Sequence, residues 1–128
     1  MLRLFRLILV FISFIGCNTH HSGEKETGHG KTHAVLPFDL HGKLIYTKHA
    51  KCRMDCRHIT DREIHEILDS GDVNYDKSDP DGRPDPKWAI DGYTQEQQHL
   101  RIVIAPERDK LIVITCIELD VEWECHCN

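Results

Sequence analysis

The sequence predicts a small α+β domain, with two helices followed by an antiparallel meander of three or four strands, packed as two layers. Three observations predict it. The stretch "TDREIHEILDSG" (60 to 71) carries a helix-opening signal, one apolar stripe and a terminating glycine. The stretch "LRIVIAPERDKLIVITCIEL" (100 to 119) holds two β-branched runs on either side of a tight turn. And 128 residues set the expectation of one domain.

The chain opens with "MLRLFRLILVFISFIG". Arg3 and Arg6 precede an apolar run from Leu7 to Ile15 that only Ser13 interrupts. This is the charged and apolar pattern of a secretory signal over residues 1–16, and it is shorter than the roughly 20 apolar residues of a bilayer span. The run ends in "FIGC". A small residue and then a cysteine is a lipobox, which would make Cys17 the lipidation site, although Phe14 stands where leucine is usual. An ordinary signal peptide or a weak membrane anchor, with Cys17 incidental, is the plainer alternative. Either way the rest of the chain is exported. The lipobox reading places it in the cell envelope, lipid-anchored on the periplasmic side, with the membrane as its partner.

Residues 17–34 then form a tether. "NTHHSGEKETGHGKTHA" has no apolar residue before Ala34, a composition that cannot bury enough surface to order itself. His20, His21, His29 and His33 offer weak metal ligands, but a solvated spacer explains them as well.

The folded part, residues 35–128, is read element by element. "KLIYT" (43 to 47) is a short strand or extended entry. "KHAKCRMDCRH" (48 to 58) lacks Gly and Pro and reads as a helix. In the next helix Thr60 and Glu63 make a capping box, Ile64, Ile67 and Leu68 form the buried stripe, and Gly71 ends it. "DKSDPDGRPDPK" (76 to 87) is a loop, and its prolines spoil the spacing that Asp79, Asp81 and Asp85 would need to ligate calcium. "WAIDGYT" (88 to 94) is a strand pairing forward. "LRIVIAP" (100 to 106) and "KLIVITCIEL" (110 to 119) form a hairpin around "ERD", and the second strand, the most apolar, is expected at the centre. Trp88, Tyr93 and Trp123 read as core or rim aromatics.

Charge and motifs exclude some functions. Without Arg3 and Arg6 the 16 Lys and Arg fall to 14, against 21 Asp and Glu, a net charge near −7. This is no general polyanion-binding surface, so there is no strong nucleic-acid signal. Dinucleotide, phosphate-loop and serine-triad patterns are absent from the sequence.

Two stripes on the first helix carry chemistry. Cys52 and Cys56 share a face, four residues apart. Cys125 and Cys127 share a face if the tail is extended. The four thiols either hold a zinc ion, with sulfur ligands at about 2.3 Å, or form two disulfides joining helix to tail, or stay unlinked. Export favours disulfides, and the pair-plus-pair arrangement favours metal. Cys116, in the apolar strand, reads as a buried free thiol. Beside the cysteines, His49, Arg53 and Arg57 form a second stripe: two arginines to clamp a phosphate and an imidazole as general acid or base. The plainer reading pairs Arg53 and Arg57 with carboxylates and packs His49 at the helix start.

The combination of His49-Ala50, Arg53-Met54, Arg57 and Ile59, the acidic helix ending at Gly71, and the hairpin "LRIVIAPERDKLIVIT" resembles the domain-of-unknown-function family 4258 over residues 43 to 118. The resemblance implies a topology similar to the RelE-like and barnase-like ribonuclease-toxin fold, and it implies function only by analogy. Cys52 and Cys56 stand where members of that family carry variable polar residues, so the chain looks like a cysteine-bearing branch. Three functions follow as expectations. The first is a non-catalytic binding or structural module stabilised by the four cysteines. The second is a ribonuclease-like or toxin-like enzyme using His49, Arg53 and Arg57. The third is a small zinc-binding protein.

Overall fold

A computed structural model describes residues 35–127. The expected signal (1–16), Cys17 and the tether with its four histidines lie outside the described residues. The elements in chain order are β1 (Lys43–Tyr46), α1 (Lys48–Arg57), α2 (Asp61–Ser70), β2 (Asp72–Val73), a 3₁₀ turn (Tyr75–Lys77), β3 (Trp88–Tyr93), β4 (His99–Glu107) and β5 (Lys110–Glu118). Among the described residues no helix is long and apolar enough to cross a membrane.

The α+β class holds, but the sheet differs from a plain meander. It has five strands in the order β1-β5-β4-β3-β2 and is mixed. β1 runs parallel to β5, with Lys43 opposite Lys110 and Tyr46 opposite Val113. The other pairs are antiparallel. A strand therefore precedes the helix pair. β4 occupies the middle, while β5, expected there, lies between β4 and the edge strand β1. The hydrophobic content of β5 reflects a strand paired on both sides, a condition β4 shares.

α2 forms for the reasons its sequence gives. The Thr60 hydroxyl accepts from the Glu63 N–H, and the Glu63 carboxylate accepts from the Thr60 N–H at 2.7 Å. Glu63 is buried, so this carboxylate is committed to the cap. Ile64, Ile67 and Leu68 join Ile90, Leu100, Ile102, Ile104, Leu111 and Val113 in one buried cluster, with α2 set against β3 and β4. Each such aliphatic side chain contributes roughly 2 kcal/mol by leaving water. Gly71 ends the helix with ordinary negative φ, in extended conformation. It is required by proximity instead: a Cβ there would sit 2.5 Å from the Ile67 carbonyl and 2.7 Å from that of Asp91.

The β4–β5 ladder carries a bulge. Ile104 faces Val113, yet Val103 faces Thr115, so Ile114 is the extra residue. The extra residue inverts the inward-outward alternation beyond it, and Cys116 points into the core instead of away from it. On the sheet face away from the helices, Arg101 and Asp91 pair across β4 and β3.

Candidate functional site: the α1 arginine stripe and the C-terminal strap

The bulge fixes where α1 starts. The Thr47 N–H donates to the Val113 carbonyl at 3.1 Å, and the Thr47 hydroxyl donates to the Ile114 carbonyl at 3.0 Å. The same hydroxyl accepts from the Ala50 N–H at 3.0 Å and caps the helix. At the other end His58 adopts a left-handed conformation, φ 55°, and its N–H reaches the Asp55 and Met54 carbonyls. Of α1 only Ala50 is fully buried. The helix is pinned at its ends rather than sunk in the core, and both functional stripes stay near the surface.

The four cysteines form two disulfides, Cys52–Cys127 and Cys56–Cys125, with Cα atoms 5.8 and 5.9 Å apart. Helix and tail spacing match. Four helical residues advance about 6 Å and two extended residues about 6.6 Å. C-x3-C on α1 can therefore be bridged rung by rung to C-x-C on an extended tail running the opposite way. All four sulfurs are used in these cross-links, and among the described residues no group of three or more His, Cys, Asp or Glu is placed to hold a metal ion. Cys116 is free and fully buried, and burial pushes its thiol up to about 11.

Residues 119–127 thus form a strap along α1. It starts with the Leu119 N–H on the His99 carbonyl and the Asp120 carboxylate 3.3 Å from His99 Nδ1. Trp123 donates its indole N–H to Glu118 at 2.7 Å and meets His58 edge-on. His126 is exposed between the two bridged cysteines.

The His49, Arg53 and Arg57 stripe lies on α1 beside the bridged cysteines, and Arg53 touches the strap. Arg53 Nε donates to His49 Nε2 at 3.3 Å, and its Nη1 donates to the Cys125 carbonyl at 3.4 Å. Arg57 Nη1 donates to the Cys116 carbonyl, while its Nε is buried without an acceptor among the described residues. Burial, followed by the neighbouring Arg53 charge, holds the Arg57 guanidinium below its ordinary value. Among the described residues neither arginine forms an ion pair. The expected carboxylate partners are replaced by neutral carbonyls. His49 does not cap the helix, a task Thr47 performs, and its Nε2 lone pair is engaged by Arg53.

Sequence reasoning missed the acceptors. Backbone carbonyls of Cys116 and Cys125 carry no residue-type signal, and Thr47 and Trp123 acquire their roles only from the bulge and the strap. Tyr46 is a further case: its hydroxyl donates to the Asp61 carboxylate, and burial followed by that hydrogen bond raises it well above the usual phenol range.

No curated protein and no solved structure matches the chain. The model of one family does, over residues 46–118, from the end of β1 to the end of β5. That span includes both helices, the hairpin and the arginine stripe, and leaves out the strap with Cys125 and Cys127. The chain therefore belongs to the domain of unknown function family DUF4258.

Proposed function

We propose that this protein is an exported, non-catalytic binding or structural module, lipid-anchored through Cys17 on the periplasmic side of a membrane. The observation that supports it most is the use of the arginine stripe. Arg53 and Arg57 are joined to main-chain carbonyls, His49 is engaged by Arg53, and two disulfides hold the strap beside them. These interactions fix a surface; they do not present a free base beside a substrate groove. Two disulfides in so small a domain suit an oxidising compartment. The lipobox supplies the anchor, and the polar residues 18–34 supply reach.

The ribonuclease-like reading keeps its residue set and makes the opposite prediction. The oxidised full-length protein is incubated with single-stranded RNA, beside a His49→Ala variant. Intact RNA in both samples is expected. Cleavage that disappears in the variant would replace the module with an enzyme. Intact mass without reductant addresses the zinc reading: four protons lost relative to the free thiols is expected, and a zinc-sized increment would overturn it. Metabolic labelling with a fatty acid, lost in Cys17→Ser, checks the anchor.

A further inference from the structure

The strap stands where a ligand of the arginine stripe would stand. Arg53 and Arg57 are one helical turn apart on one face, close enough for one charge to depress the other. Adjacent guanidiniums are normally matched by carboxylate or phosphate, which accept from them in forked geometry. Here Arg53 has a strap carbonyl, Cys125 O, at the long distance of 3.4 Å. Arg57 has a β5 carbonyl and a buried Nε with no acceptor among the described residues. Among the described residues the pair thus has no ion-pair partner, Glu118 acting on Arg57 only at longer range, and Arg57 keeps an unused donor, while Arg53 faces the strap.

The strap itself is weakly held apart from its sulfurs. Beyond Leu119, its backbone-to-backbone hydrogen bonds among the described residues reduce to one internal contact, Cys125 N–H to the Trp123 carbonyl at 3.0 Å, beside the long Arg53 bond and the exposed Asp120–His99 pair. Trp123 contributes an edge contact and one bond to Glu118. The family match stops at residue 118, so the strap is appended to a domain that is recognisable without it.

We infer that the strap is a redox-released cover, and that reducing Cys52–Cys127 and Cys56–Cys125 opens a phosphate-type oxyanion site on Arg53 and Arg57. The inference rests on the reading of the domain as a binding module, and it adds the ligand class and its control. Each disulfide takes two electrons and two protons from a dithiol reductant. A thiolate of the reductant attacks one sulfur and forms a mixed disulfide. The other cysteine leaves as a thiolate and is protonated, and the second reductant thiol resolves the mixed disulfide. Two dithiols become two disulfides, and four cysteine thiols are freed. The strap then detaches from its starting point near Leu119, and the oxyanion replaces Cys125 O on Arg53 and supplies the missing acceptor to Arg57 Nε.

The test uses the full-length protein, oxidised and after dithiothreitol, with NMR of the arginine Nε–H signals. Inorganic phosphate is one titrant; vesicles of phosphatidylglycerol, with phosphatidylcholine as control, are the other. Expected is saturable binding of one or both anionic probes in the reduced protein, at least about tenfold weaker in the oxidised protein and in reduced Arg53→Gln or Arg57→Gln. Response to phosphate identifies a soluble ligand, and response to anionic vesicles alone identifies a lipid headgroup. Equal binding in both redox states, no binding in either, or binding indifferent to the arginine variants would overturn the inference. Amide hydrogen exchange guards against unfolding. On reduction residues 119–127 should lose protection completely, whereas α2 and β4, weakened by loss of the cross-links, should stay protected; complete loss of protection in α2 and β4 would show that the fold does not survive reduction and would overturn the inference. RNA cleavage in the assay above would defeat the module reading without touching this redox difference, so the two failures are separable.

Discussion

Arg101 and Asp91 stand directly opposite each other on β4 and β3 and share two hydrogen bonds of 2.7 Å, one from Nε and one from Nη2. Asn74 adds a third donor to the same carboxylate at 2.8 Å. Burial alone would raise the Asp91 carboxyl; the hydrogen bonds from Arg101 and Asn74 and the Arg101 charge outweigh it and hold it below the ordinary value. The pair is largely shielded, so removing one partner strands the other. Arg101→Ala should cost about 2 kcal/mol, between the values for exposed and buried pairs, read by urea unfolding. An unchanged midpoint would show that water replaces the partner.

The same pair sets an acid limb. A carboxylate depressed on folding stabilises above its unfolded value, 3.8, and that contribution fades as pH falls through the lower folded value. Asp91→Asn should therefore be less stable at neutral pH but lose less stability below about pH 3.8. Parallel acid-unfolding curves for the two proteins, followed by circular dichroism, would contradict this assignment.

Cys116 sets an alkaline limb of opposite sign. Its folded value is raised by burial from 9.0 to about 11, with the Arg57 and Arg53 charges acting in the other direction. The neutral thiol is favoured in the fold, so stability is complete below pH 9.0 and declines as pH rises towards 11. Cys116→Ala should flatten that decline while costing about 1 to 2 kcal/mol for the lost packing. In native protein at pH 8 the thiol should resist iodoacetamide, and rapid labelling there would contradict its burial.

The two disulfides should act non-additively. Cys52–Cys127 and Cys56–Cys125 close nearly the same loop, with separations of 75 and 69 residues. The first to form restricts that whole loop, worth about 4 kcal/mol in the chain-entropy picture, and the second only a short ring, about 2 kcal/mol. Replacing either pair by serine should lower Tm by on the order of 10 °C. Replacing both should lower it by more than the two single effects combined, less whatever chain entropy the released strap recovers. Simple additivity in thermal unfolding would mean the bridges restrain different parts of the unfolded chain.

Gly71→Ala should be among the most damaging small substitutions. Its Cβ would meet two carbonyl oxygens and the Ile90 side chain, at 2.5, 2.7 and 2.9 Å, where α2 passes against β3. A loss of about 2 to 3 kcal/mol in denaturant unfolding is expected, against about 1 kcal/mol for Thr60→Ala at the other end of the helix. Equal small effects would mean that α2 can shift away from β3.

What was legible in the sequence follows the range of the interaction. The Thr60–Glu63 cap and the Glu107–Lys110 turn act within a few residues, and both elements lie within a residue or so of their expected bounds. β1 was visible as the extended stretch 43 to 47, but its partner stands at the far end of the domain, and so short a strand cannot specify a parallel edge. β2 is two residues long and exists because Gly71 delivers the chain against β3. The cysteine set was legible from i,i+4 and i,i+2 geometry, whereas which sulfur meets which depends on the direction the strap takes. The arginine stripe was visible as a stripe, but its carbonyl partners were not, since main-chain acceptors leave no mark in residue type.

The pairing of β1 with β5 sets a timetable for a chain that emerges amino end first. The first strand of the domain has no neighbour until the last strand appears, and α1 has no sulfur partners until Cys125 and Cys127 follow it. Before then the chain can form α2 and the β2–β3–β4 ladder on which it packs, but β1 and α1 stay without their strand and sulfur partners. Such a polypeptide holds its amino-terminal strand and helix open until its last strand and tail are made, and then closes both sheet edge and cross-links in a single late event.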